Sequence, residues 1–224
     1  MSQQPGAVFA KRPSPWWFVV GARAVAAVIT GLIITFSADH SARFGLLVFG
    51  AFALASALVL VWGARAIGVV GAAGLLYVQA AASAVAGIIA LTINGSGYGM
   101  LVALIVGWAI VTGVTEIVLW HRMRVESAFA RDWLTGGILT LVLAAAVLVI
   151  PADFANAWQV EDKDGGVLSG VVTAEIFAVG VLGAYAFVLG MFLLIAAVSA
   201  RGVKGAVPRS DSEFAREPSR QKGE

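Results

Sequence analysis

Three polar side chains stand inside long apolar runs of this chain: Arg23, Gln79 and Glu116. An ionisable group in such a run costs about 2.5–3.5 kcal/mol on insertion scales, and it marks a functional position by default. Arginine carries several donors in a planar fork, and a carboxylate accepts on both oxygens. The chemistry open to these residues is therefore an ion pair, extended by the neutral amide of Gln79. Two geometries are open. At about 1.5 Å rise per residue, Arg23 and Glu116 each lie within roughly 10 Å of the same membrane boundary, so each could snorkel separately to water. Alternatively they meet between the first and fourth apolar runs with Gln79 beside them, clamping the two together. The clamp is the expected arrangement. Glu175 is the other intramembrane carboxylate, at the start of the last run and near the opposite boundary.

Other chemistries find little support. Cysteine is absent, which removes disulfides, thiolate metal sites and cysteine nucleophiles. His40 and His121 fall on opposite sides of the predicted membrane, and neither has a partner four residues on to make a zinc pair. His40 beside Asp39 could titrate at mildly acidic pH, or be a plain solvated loop histidine. Gly95-Ser96-Gly97-Tyr98-Gly99 looks like a potassium-filter loop, but the connection is too short for a pore helix and reads as a tight turn. Asn94-Gly95-Ser96 matches a glycosylation sequon that lies too close to the membrane for use. No strand is evident, so no phosphate loop can follow one, and no nucleophile–base arrangement stands out. The expectation is a protein that is not an enzyme, with no catalytic, cofactor-binding or metal-binding residues and no cofactor.

The elements that must carry these residues are membrane spans. Of 224 residues, 60% are hydrophobic and 12% charged, against about 45–50% and 25% in soluble domains. A soluble chain of this size could not cover so much apolar surface. The apolar residues come in runs near the roughly 20 residues that cross a bilayer. The fold class expected is an all-α membrane protein of six transmembrane helices, over 16–37, 44–63, 72–93, 99–120, 133–150 and 173–200. The first run exceeds the length of a signal-peptide core, so it reads as an uncleaved span. Residues 1–15 form a cytoplasmic N-terminal segment, and 201–224 a disordered cytoplasmic tail rich in Arg, Ser and Pro. Lys11, Arg12, Arg65, Arg122, Arg124, Arg131 and the tail cations fall on one side, against Arg43 and Lys163 on the other. That bias places both termini in the cytoplasm, and Trp16, Trp17, Trp62, Trp120 and Trp133 form an interfacial belt on the same side.

The chain also matches itself at a period of about 56 residues, which points to three repeated helical hairpins over 16–63, 72–120 and 133–200. The odd-numbered spans align at Arg23, Gln79 and Gly136. The even-numbered spans align at Gly50-Ala51-Phe52-Ala53, Val106-Gly107-Trp108-Ala109 and Gly183-Ala184-Tyr185-Ala186. Gly31, Gly87, Gly113 and Gly190 recur at matching positions and are the candidate helix-packing sites, because close approach in lipid relies on small residues. Recurrent small and aromatic positions could instead line a pore. The last hairpin carries an expanded outer loop, 151–172, with Asp153, Glu161, Asp162 and Asp164 against Lys163. Such an insertion is either an added functional element or a tolerated surface loop.

Gly107-Trp108-Ala109-Ile110-Val111-Thr112-Gly113-Val114-Thr115-Glu116-Ile117, Trp133-Leu134-Thr135-Gly136-Gly137-Ile138-Leu139 and Leu182-Gly183-Ala184-Tyr185-Ala186-Phe187-Val188-Leu189-Gly190 resemble the HdeD-type bacterial membrane proteins, built from short hairpin repeats. The resemblance covers about residues 16–200. Of the family's outer prolines only Pro151 is kept, with Ala38 and Asn94 at the other two positions. The resemblance implies the bacterial inner membrane and a role in acid or envelope stress, without catalytic residues. The partners expected are the lipid bilayer and either further copies of the chain or another membrane protein, with no nucleic acid. The competing reading is a small channel or transporter with a path between the hairpins.

The topology has a direct test, because the chain has no cysteine of its own. Single cysteines placed in 151–172 should react with an impermeant thiol reagent from the outer face. Reaction only after the inner face is opened would reverse the assignment.

Overall fold

The computed structural model describes residues 16–66, 70–93, 95–124, 130–161 and 166–202. The N-terminal segment 1–15 and nearly all of the expected disordered tail lie outside the described residues. Among the described residues there are six helices, α1 (Trp16–Phe36), α2 (Ala42–Ala66), α3 (Val70–Thr92), α4 (Tyr98–Met123), α5 (Ala130–Leu148) and α6 (Ala174–Gly202). All six are long and apolar enough to cross a bilayer. The chain is a multi-pass membrane protein embedded in lipid.

Helices form here because hydrocarbon offers no partner for a peptide group, so each segment must satisfy its own backbone. The hydroxyls follow the same rule. Thr30 donates to the Ala26 carbonyl at 2.9 Å, Thr112 to Trp108 at 2.7 Å and Thr140 to Gly136 at 2.8 Å, each one turn back along its helix. The turns use local polar groups. Ser41 caps α2, its Oγ accepting from the Phe44 amide at 3.3 Å. Glu175 at the start of α6 reaches the same helix end, its Oε2 accepting from the Ala42 amide at 3.0 Å. A carboxylate suits the positive end of a helix dipole. The Gly95–Gly99 stretch is a tight turn into α4, with Gly97 at φ 80°, a left-handed conformation that favours glycine.

One expectation fails. The 151–172 segment, in which no strand was foreseen, contains an antiparallel pair, β1 (Ala155–Glu161) and β2 (Val167–Thr173). The register runs from Ala155 opposite Thr173 to Glu161 opposite Val167. The β-branched residues Val160, Val167, Val171 and Val172 suit a pleated ribbon, and the acidic and glycine residues between them masked that pattern. Of the charged residues in the segment, Asp162, Lys163 and Asp164 lie outside the described residues. A two-stranded ribbon is marginal by itself. This one runs directly into α6 and is held at its base, where the Ala174 amide donates to Phe154 O at 2.9 Å. Phe154 also packs on Phe177, with ring centroids 5.8 Å apart.

The helices close into a ring in sequence order, α6 lying against α1. Packing is most extensive between α1 and α6, α2 and α3, and α4 and α5, and lighter between α1 and α2, α3 and α4, and α5 and α6. The tightest interfaces thus run between successive sequence hairpins rather than within them. The even-numbered helices also touch one another across the middle.

Glycine explains where the tight interfaces fall. A Cβ on Gly87 would sit 2.8 Å from Leu54 and 2.9 Å from the Gly50 carbonyl, between α3 and α2. On Gly113 it would meet Leu141 at 2.8 Å and the Gly137 carbonyl at 3.0 Å, between α4 and α5. On Gly31 it would lie 2.8 Å from the Phe187 amide nitrogen, and on Gly190 2.7 Å from that of Val28, between α1 and α6. Gly107, aligned with small residues of the other even-numbered helices, has nothing within 4 Å of its Cβ position, as does Gly180.

These distances separate two classes of substitution. Leucine at Gly31, Gly87, Gly113 or Gly190 should lower stability in detergent by about 1–3 kcal/mol or more through overpacking. Alanine at Gly107 or Gly180 should leave it level or raise it by up to about 1 kcal/mol, from helix propensity. Thermal unfolding of purified variants reads both. Equal tolerance in the two classes would mean that the close helix contacts do not hold the ring together.

Candidate functional site

The ring brings Arg23 of α1, Gln79 of α3 and Glu116 of α4 into one cluster. The Arg23 guanidinium donates through Nη2 to Glu116 Oε1 at 2.5 Å. Gln79 Nε2 donates to the same oxygen at 2.9 Å. The Glu116 side chain is 2% exposed and that of Arg23 14%, so Arg23 is turned to the carboxylate and not bent toward the headgroups. Its guanidinium also lies over the Trp133 ring of α5, 5.2 Å from the centroid, a cation–π geometry that adds attraction in a desolvated setting.

A buried pair is not automatically stabilising, because both charges lose their hydration. Its neighbours matter. At the position of Glu116, the aligned helices carry Leu60 and Leu193, both buried. A lone carboxylate among leucines needs space, and Gly136 makes it: a Cβ there would lie 2.9 Å from Glu116 Oε2. Gly136 is the residue aligned with Arg23 and Gln79. The three aligned odd-helix positions thus hold a cation, an amide and a gap, all directed at one carboxylate. Among the described residues, two buried side-chain atoms have no hydrogen-bond partner, Gln79 Oε1 and Glu116 Oε2.

Beyond the cluster the centre of the ring is filled. Phe52, Trp108 and Tyr185, the three aligned aromatics, meet there. Trp108 lies edge-on to Phe52 at 5.8 Å and to Tyr185 at 6.4 Å, with Phe49 packed on it at 5.5 Å. Their polar atoms find partners four residues beyond the odd-helix markers. Trp108 Nε1 donates to Ser83 Oγ at 3.0 Å. Tyr185 OH lies 2.8 Å from Thr140 Oγ1. Thr140 has one hydroxyl hydrogen and gives it to the Gly136 carbonyl, so the tyrosine is the donor. The space left between the cluster and the rings is about 10 Å³, room for about one water. Ser83, Thr140 and Gly136 were not singled out for this role by sequence reasoning. Their signal was positional, since they sit at or four residues after the alignment markers.

The remaining sequence candidates lie apart. His40 packs at 6.5 Å from the Phe44 ring. Beside it the Ser41 amide and hydroxyl hold the Asp39 carboxyl below the usual carboxylate range. His121 ends α4, exposed and on the far side of the protein. Among the described residues no group of three or more His, Cys, Asp or Glu gathers as metal ligands. An apolar cleft of about 920 Å³ lies between α1, α2 and α6, lined by residues such as Phe18, Ile29 and Leu47. It lacks groups for chemistry, its one hydroxyl, Thr30, being bonded within α1.

The cluster generates a sharp expectation. Glu116→Leu or Arg23→Gln alone strands the other charge in a buried site, and should cost about 3–5 kcal/mol, the usual cost of breaking a buried pair. The double variant, with Leu as in Leu60 and Leu193 and Gln as in Gln79, removes both charges. It should be more stable than either single variant. A double-mutant cycle on unfolding measures this; additive losses would show that the two charges do not interact.

No protein-family model matches the chain, and neither does a curated protein or a solved structure.

Proposed function

We propose that this chain is a non-enzymatic membrane protein of HdeD type, built of three hairpin repeats, set in the bacterial inner membrane with both termini in the cytoplasm. In this reading its contribution to acid or envelope stress resistance comes from the packed ring itself, acting through contact with further copies or another membrane protein. The observation that carries the non-conducting reading is the filled axis. Phe52, Trp108 and Tyr185 occupy the middle of the ring, Trp108 edge-on to each of the other two, and the polar space beside them is about 10 Å³. A pathway for solute needs a continuous polar opening, and a catalytic site needs room for substrate. The repeat reading is supported by the way aligned residues meet: Arg23 and Gln79 on one carboxylate with Gly136 against it, and the three aromatics on one axis.

The channel or transporter reading remains the competitor, since internal repeats are common among transporters. Two measurements separate them. Purified chain in liposomes should pass ions and small solutes no faster than protein-free liposomes. A strain lacking the gene should lose survival after acid or envelope challenge, and regain it with the wild-type chain. Flux that depends on the protein and rises when Trp108 is replaced by alanine would move the assignment to a channel.

A further inference from the structure

Glu116 Oε2 is fully buried and has no partner. A buried carboxylate oxygen left unpaired is costly, and such atoms are normally met by protein or by ordered water. This oxygen lies against Gly136, where a Cβ would fall 2.9 Å from it. Gly136 and Glu116 line a small cavity together with Arg23, Asp132, Trp133 and Leu193, of about 10 Å³. That is about the centre-volume of one water. Asp132 stands in the first turn of α5 and is partly exposed, so the cavity reaches toward the face of the membrane where α5 begins. On its other side the aromatic layer closes the ring. Neither Arg23 nor Glu116 is bonded to Asp132, yet all three border the one space, and polar groups held apart across such a gap are commonly joined by water.

We propose that this cavity is a built site for a single bound water, which donates to Glu116 Oε2 and links the Arg23–Glu116 pair to Asp132. Three polar partners surround it, the number that buried waters typically have. Gly136 is the residue that admits it, since a methyl group there would occupy the space next to Oε2. The water exchanges with solvent on the α5 N-terminal face alone. The ion pair is therefore hydrated from one side, which lowers the cost of holding two charges in the spans. A metal cation is the rival occupant, because one arginine faces two carboxylates. Hard cations take about six oxygen ligands, and the arginine at this cavity repels them. The inference stands apart from the proposed stress role, since it concerns the occupancy of the cluster and not what the whole protein does.

The test is a structure of the full chain in lipid nanodiscs at a resolution that shows ordered waters, prepared once in potassium salt and once with thallium(I) replacing potassium. The expected result is one density within hydrogen-bond distance of Glu116 Oε2, unchanged by thallium. In Gly136→Ala that density should vanish while Arg23 and Glu116 stay in contact. An empty cavity in the wild-type chain overturns the proposal. So does a density that strengthens with thallium, which would make the occupant a cation. A density that persists in Gly136→Ala also counts against it, because the water would then not depend on the glycine gap. Should that variant not fold, the wild-type pair of structures decides alone.

Discussion

Inside hydrocarbon two apolar helices gain nothing by leaving lipid for one another, because lipid tails are as apolar as leucine. Association then depends on how closely two backbones can approach. In this protein the approach is made at glycine, at Gly50 with Gly87, at Gly113 with Gly137, and at Gly31 against Phe187 and Gly190 against Val28. Each interface carries a glycine where any Cβ would strike backbone or a branched side chain. The ring closes because three such interfaces occur, the last bringing α6 back to α1. Everything at the centre rests on that closure. Gln79 and Glu116 come from the neighbouring helices α3 and α4, and the ring brings Arg23 of α1 to them.

Closure also sets the polar chemistry of the core. A ring of six helices with three tight interfaces leaves a narrow middle, and the middle is divided. One part is aromatic, with Trp108 between Phe52 and Tyr185 and their N–H and O–H groups met by Ser83 and Thr140. The other part is charged, with Glu116 placed where the aligned helices carry leucine. The charged part is tolerable because its partners come from fixed backbone positions. Arginine gives a charge-assisted bond, the amide of Gln79 a second, and the Trp133 face a third contact. Losing any one of them would leave more of a buried charge unmet.

The β-ribbon is a different kind of element. Its residues are largely exposed, including Trp158, Val160, Leu168 and Val171, and only its base is tied to the helices. It extends from the face that also carries the 37–41 turn and the start of α4, where Tyr98 OH donates to the Ile150 carbonyl at 3.1 Å. The Trp158 ring lies against Gly170 directly across the ladder, so closely that a Cβ on Gly170 would fall 2.7 Å from it. That cross-strand contact gives the ribbon order in the absence of a third strand.

The six spans were legible in the sequence because hydrophobic length is a local property, and each run alone exceeds what a bilayer needs. Gly31, Gly87, Gly113 and Gly190, small residues set within the apolar runs, lie at close helix contacts. The meeting of Arg23 with Glu116 was one of two geometries open to the sequence, because a long side chain near a boundary can reach water as readily as a partner. Tertiary structure decided between them, by bringing the Arg23 guanidinium onto Glu116 Oε1. The order of tight interfaces was invisible in the hairpins themselves: short connections say which helices are neighbours, not which backbones come closest. The ribbon was hidden because strand pairing depends on a cross-strand register that no single run encodes. The gap at Gly136 could not be read locally either. An absent side chain becomes a feature only when the ring brings another residue's carboxylate against it.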